Sequence, residues 1–152
     1  MNYYMFVQLD APATSQIKGS SRAEGFKDWF VLQSQSWGSQ GVRPISLSSV
    51  DISYELQLGS MLLLQQHFVG RVLNKVIIVG STVGFGKGPL KIIEMTLDDV
   101  TISSHTESGQ AGEGNVRQNM TLDFKKITIK HNIFSETGSL LTAQTAAVTP
   151  AP

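Results

Sequence analysis

Apolar and polar positions alternate along most of the chain, and a helical period is confined to one short segment. Met5, Val7 and Leu9 alternate with Phe6, Gln8 and Asp10, which predicts a first strand. Residues 11–25 are rich in Ser, Ala and Gly and read as a long loop. Residues 26–37 are aromatic and β-branched enough for a second strand, and 45–56, 72–79, 90–103 and 116–133 supply four more extended stretches. Glycine-rich loops at 80–89 and 108–115 separate several of them. Three stretches change phase partway: at Ser48-Ser49, at Asp98-Asp99 and at Lys125-Lys126 the apolar residues move to the other face. A polar step that inverts the face is what a bulge or sharp bend produces. Three of them predict coiled strands that turn corners, as in a closed or nearly closed barrel; a β-sandwich with loops at those points is the alternative.

One segment departs from the β pattern. Gly59-Ser60 precedes MLLLQQHFV and Gly70 follows, so Ser60 is the expected N-cap and Gly70 the expected terminator of a short helix. Met61, Leu64 and Phe68 form its expected apolar stripe. The expected fold class is therefore all-β, mainly an antiparallel β-barrel, with one short α-helix. Residues 135–152 are Thr/Ala/Pro-rich with a single charge, Glu136, and predict a flexible C-terminal tail after a domain spanning 1–134.

Composition narrows the function. The 152 residues make one domain's worth of chain. Lys+Arg and Asp+Glu number 12 each, so the formal net charge is +0, and charged residues are only 16%. Binding to nucleic acid by bulk positive charge is excluded, as is an acidic disordered chain. There is no cysteine, hence no disulfide, thiolate ligand or cysteine nucleophile. The N-terminus lacks the basic and apolar regions of a signal peptide, and the longest wholly apolar runs are as short as 61–64 and 76–79. The expectation is a chain made in the cytoplasm without membrane insertion.

Candidate chemistry is sparse. Gly86-Lys87 matches the centre of a phosphate-binding loop, but Ser81 stands at its first Gly position, Gly88 at the Ser/Thr position, and Pro89 opens a strand where a helix is required. His67, His105 and His131 are not at metal-ligand spacing. Asp98 and Asp99 are adjacent on a strand, point to opposite faces, and read as a bend marker. Trp29, Phe30 and Trp37 lack the flanking cations of a base-stacking platform and read as packing residues. No Gly-x-Ser-x-Gly occurs, and the Asn119-Met120-Thr121 sequon has no secretory signal to go with it. No catalytic, cofactor or metal residue emerges, and a structural or binding role outranks an enzyme.

Ordered segments carry a more specific signal. Tyr4-Met5-Phe6-Val7 is similar to the aromatic/Met-Phe-Leu first strand of the haemolysin-coregulated protein (Hcp) family, the inner-tube proteins of type VI secretion systems. Ile17-Lys18-Gly19-Ser20-Ser21 resembles that family's I-K-G-E-S loop, and residues 29–38 (WFVLQSQSWG) its strand ending in an aromatic–Gly pair. Residues 96–104 resemble T-L-x-D/E-V-x-V-S-S, and Thr121-Leu122-Asp123-Phe124 with Ile127 resembles T-L-x-F-x-x-V. The resemblance covers roughly residues 3–134. Ser20 departs from the family's Glu, Leu56-Gln57-Leu58-Gly59-Ser60 departs from its Asp-x-x-Ser-Pro helix entry, and the loop after Trp37-Gly38 is short.

The resemblance implies a barrel protomer that forms homo-hexameric rings stacking into a hollow tube. Its partners would be a contractile sheath, a spike and effector proteins, and the tube would leave the cell through the type VI system. It also implies assembly loops at Ile17, Lys18, Gly19, Ser20 and Ser21, and at Gly38, Ser39, Gln40, Gly41, Val42 and Arg43. A phage-like tail-tube protein is the same class of answer. A monomeric β-barrel that binds a ligand or peptide is the alternative from another class.

Overall fold

The computed structural model describes residues 1–12, 14–42, 44–83 and 88–149. In chain order the elements are β1 (Asn2–Gln8), β2 (Gln16–Ile17), β3 (Phe30–Leu32), β4 (Ser34–Ser36), β5 (Ser39–Gln40), β6 (Ser46–Leu47), β7 (Val50–Glu55), α1 (Ser60–Val69), β8 (Leu73–Val83), β9 (Pro89–Gly109), β10 (Val116–Asp123), β11 (Lys126–Phe134) and β12 (Leu140–Val148). Every strand pairing is antiparallel.

The pairings return to their starting point. β1 pairs with β8, β8 with β9, β9 with β10, β10 with β7, and β7 with β4. Gln33 alone separates β4 from β3, its N–H donates to Ser53 O at 2.7 Å, and β3 pairs back onto β1. Two strands change sheets to make this circuit: the β3–β4 stretch and the 21-residue β9. β9 turns at Asp99, which sits at φ 52, a left-handed conformation in which an aspartate is tolerated. The phase change at Asp98-Asp99 is thus a bend within a strand. Those at Ser48-Ser49 and Lys125-Lys126 fall where strands end: Ser48 and Ser49 separate β6 from β7, and β11 begins at Lys126.

Inside the circuit lie Met5 and Val7 of β1, Phe30, Ile52 and Tyr54, Ile78, Met95 and Leu97, and Met120 and Leu122. Phe30 meets Tyr54 edge to face with centroids 5.6 Å apart. The opposite face of β1 is covered by residues 26–29: Phe26 stacks on Tyr4 at 4.4 Å, and Trp29 packs on Phe6 at 5.5 Å. Trp29 and Phe30 are therefore packing residues.

Tyr54 Oη donates to Met120 Sδ at 3.7 Å, and burial pushes its phenol well above the ordinary tyrosine range. The folded state holds the proton more tightly, so the unfolded chain loses it first as pH rises past about 10, and stability falls from there upward. Tyr54→Phe is expected to move the onset of alkaline unfolding, followed by circular dichroism, to higher pH. At pH 7 it should leave the thermal midpoint within a few degrees.

On the outer face of the sheet formed by β4, β7, β10 and the distal part of β9, the register aligns two cross-strand rows. Thr121 faces Ser104 and Asp51, and Asp51 faces Ser36. Asn119 faces Thr106 and Ser53, and Ser53 faces Ser34.

Two expectations for the helix are corrected. Gly59, not Ser60, occupies the N-cap of α1, at φ 83 and without a side-chain cap, while Ser60 Oγ accepts from Gln57 N–H at 2.9 Å. Gly70 ends the helix at φ 67, as expected. The buried side is Ser60 and Leu63 rather than Met61 and Phe68, which are 63% and 70% exposed. Four consecutive apolar residues, Met61 to Leu64, leave periodicity unable to choose a face; docking on β9 chooses it, with His67 Nδ1–H donating to Ile102 O at 2.8 Å.

The segment 135–152, expected as a flexible tail, contains β12. β12 pairs with β11 from Ile127↔Val148 to Phe134↔Leu140, through a turn in which Ser135 N–H donates to Ser139 O at 2.8 Å. Every residue of β12 except Val148 is exposed. Backbone hydrogen bonds hold this strand, whereas composition measures only what side chains can bury.

Candidate assembly surfaces

The two loops singled out from the sequence have different roles. Ile17 is buried and pairs with Val7 in the β2–β1 ladder. Gly19 N–H donates to Asp28 O at 2.8 Å, and its Cα lies so close to β3 that an added Cβ would sit 2.6 Å from Phe30 Cα and Trp29 O. Ser21 is buried, exchanges hydrogen bonds with Trp29 O and Asp28 N, and accepts from Ala23 N–H through its hydroxyl. Lys18 is exposed, 4.0 Å from the Asp28 carboxylate, a distance at which a surface pair contributes little. Ser20 is exposed and accepts from Leu58 N–H at 2.8 Å. Residues 17–21 thus form a packed joint of the fold, presenting mainly Lys18 and Ser20 outward.

Residues 38–48 form a separate hairpin. β5 pairs with β6, Ser48 N–H donates to Gly38 O at 2.9 Å, and Gly38 N–H donates to Ser48 Oγ at 2.7 Å. Gly41 takes φ 89 at its end, where an added Cβ would meet Pro44 O at 2.8 Å. Ser39 and Gln40 are exposed, Val42 is 82% exposed and Ile45 41% exposed. Arg43 lies outside the described residues. The hairpin is anchored at its base and carries two aliphatic side chains in water near its tip.

Strand edges are treated unequally. At β3, the Gln57 carboxamide does the work of a neighbouring strand: Oε1 accepts from Val31 N–H and Nε2 donates to Val31 O, both at 2.9 Å. On β9, His67 occupies the carbonyl of Ile102. Among the described residues β12 has one partner, β11, and its nine residues include no charge or proline, so nothing in its own sequence blocks its other edge. Leu140 and Leu141 are exposed there, as are Met61, Leu62, Phe68 and Val69 on α1.

Candidate chemistry does not gather into a site. Among the described residues no group of three or more His, Asp or Glu could hold a metal. Sequence spacing hid one proximity: the rings of His67 and His105 lie 6.3 Å apart where α1 docks on β9. Gln118 is buried beside them, donating to Glu107 Oε1 at 2.6 Å and accepting from His105 Nε2. Asp98 faces Lys75 at 3.9 Å, an ordinary surface pair. The centre of the phosphate-loop candidate, Gly86-Lys87, lies outside the described residues.

A sequence model described as "Type VI secretion system effector, Hcp" matches residues 6–131. The chain belongs to the Hcp family. No curated protein sequence matches it. Hcp1 from Salmonella typhimurium shares the fold at TM-score 0.76 and 22% identity, with 98% of this chain and 95% of that one covered. A type VI secretion system effector from Yersinia pestis matches at TM-score 0.75 and 20% identity, covering 95% and 98%. The secreted protein Hcp3 from Pseudomonas aeruginosa matches at TM-score 0.73 and 17% identity, covering 99% of each.

Two departures from the Hcp pattern meet in space. Ser20 accepts from Leu58 N–H through its hydroxyl, and its own N–H donates to Gln57 Oε1 at 3.3 Å. The altered loop and the altered helix entry are therefore two halves of one joint.

Proposed function

We propose that this Hcp chain is the tube subunit of a type VI secretion system. Six copies close into a ring, rings stack into a hollow tube inside a contractile sheath, and the tube, with a spike at its end, leaves the cytoplasm carrying effectors. The family match over residues 6–131 carries this reading. The surfaces described above agree with it physically: a heterologous contact closes a ring when its rotation permits, and stacking repeats it along an axis. With a formal net charge of +0, copies meet little mutual repulsion. The hairpin at 38–48 is assigned to contacts between copies, and residues 17–21 to holding the surface from which such contacts are made.

Size exclusion with light scattering tests it. The expected species has about six times the 16.5 kDa of the chain, with rings in negative stain. A monomer at high concentration would overturn the reading in favour of a solitary binding module.

A further inference from the structure

His67 of α1 and His105 of β9 lie side by side where the helix docks, with ring centroids 6.3 Å apart. Their neighbours decide where each ring carries its proton. The Ile102 carbonyl can only accept, so His67 is protonated on Nδ1 and keeps its lone pair on Nε2. The Glu107 carboxylate accepts from Gln118 Nε2 at 2.6 Å, which turns Gln118 Oε1 toward His105. That oxygen also can only accept, so His105 is protonated on Nε2 and keeps its lone pair on Nδ1. Gln118 is buried, which holds its amide in place, while both imidazoles are half-buried and within reach of solvent.

We infer that His67 and His105 form a binding site for a divalent transition-metal ion, zinc or copper, completed by water. Histidines that ligate metals characteristically donate their second N–H to a fixed acceptor, which sets the tautomer and the ring orientation. A backbone carbonyl does this at His67, and an amide anchored by a carboxylate does it at His105. Imidazole nitrogen suits zinc and copper, whereas calcium and magnesium require oxygen. On one tetrahedral ion, with Zn–N bonds of about 2.0–2.1 Å, two imidazoles have ring centres roughly 5 Å apart. The rings here therefore close by about an ångström, which small side-chain rotations supply. Among the described residues no third His, Asp or Glu completes the set, so water fills the remaining positions and the ion exchanges with solvent. The chain has no thiolate to compete for it. A bound ion clamps α1 to β9, and binding only the folded chain it raises stability. The site lies within one chain and does not depend on ring formation.

Zinc chloride titrated into the full chain by calorimetry tests the site, with electron paramagnetic resonance of the copper(II)-loaded chain as a second reading. The expected result is one ion per chain at micromolar affinity and a copper spectrum with two nitrogen ligands. The thermal midpoint should rise by roughly 5–10 °C at a zinc concentration about a hundredfold above the dissociation constant. His67→Gln and His105→Gln should each weaken zinc binding by at least about tenfold and remove the rise in midpoint. His131→Gln, at an exposed histidine of β11, should change neither. Circular dichroism in chelator shows whether each variant is folded, and His105→Gln decides alone if loss of the Ile102 bond unfolds His67→Gln. Parent-like binding in the folded variants would overturn the inference. So would the absence of saturable binding, or several ions per chain held without dependence on either histidine.

Discussion

Gly19→Ala is expected to unfold much of the protein rather than to weaken assembly selectively. The added methyl would lie 2.6 Å from Phe30 Cα and Trp29 O and 2.7 Å from Phe30 N. All three are backbone atoms, so no rotamer change makes room; β3 itself would have to retreat. β3 carries Phe30, which is fully buried against Tyr54, and it closes the strand circuit by pairing with β1. Displacing it opens the core, and a cost of about 3 kcal/mol or more follows, a large part of the roughly 5–15 kcal/mol that holds such a domain together. Circular dichroism and the thermal midpoint measure this directly. A variant that melts like the parent but fails to assemble would show that Gly19 serves contacts between copies, and the packing account of residues 17–21 would be wrong.

The double substitution Val42→Asp/Ile45→Asp is expected to do the reverse. Both side chains are in water in the single chain, so the thermal midpoint should stay within a few degrees. In an assembly that covers the hairpin, each carboxylate would be buried without a partner, at roughly 2–4 kcal/mol per contact. A closed ring repeats every contact, so the penalty multiplies and the ring population should fall below detection by light scattering. Rings and stacked tubes formed at the parent's concentration would show that the hairpin lies outside every interface.

Most of the barrel was legible because its strands obey period two and its bends leave a mark. Asp98-Asp99 interrupts the alternation, and Asp99 is where β9 leaves one sheet for the other. The seam between β3 and β4 was not visible in the same way: residues 26–37 read as one strand, and only the pairings show that its two halves serve different sheets. The helix was found by its glycines, but its buried face was not, since four successive apolar residues carry no phase. β12 was misread because its stabilisation lies in main-chain hydrogen bonds, to which Ala and Thr contribute as well as any residue. Of the loops, 38–48 keeps the exposed character that an assembly element needs. In 17–21, the glycine that reads as loop flexibility is required by close backbone approach. The polar rows carried no sequence signal, because their residues come from four strands and become neighbours only through the register.

β9 runs 21 residues, roughly 65 Å of extended backbone, and belongs to both sheets. A thrust applied to one sheet therefore passes to the other along covalent bonds rather than through side-chain packing. On both sides of the bend its ladders lie along the strand, so a pull on β9 loads many hydrogen bonds at once in shear instead of unzipping them singly. In the proposed tube subunit this strand is a continuous spar.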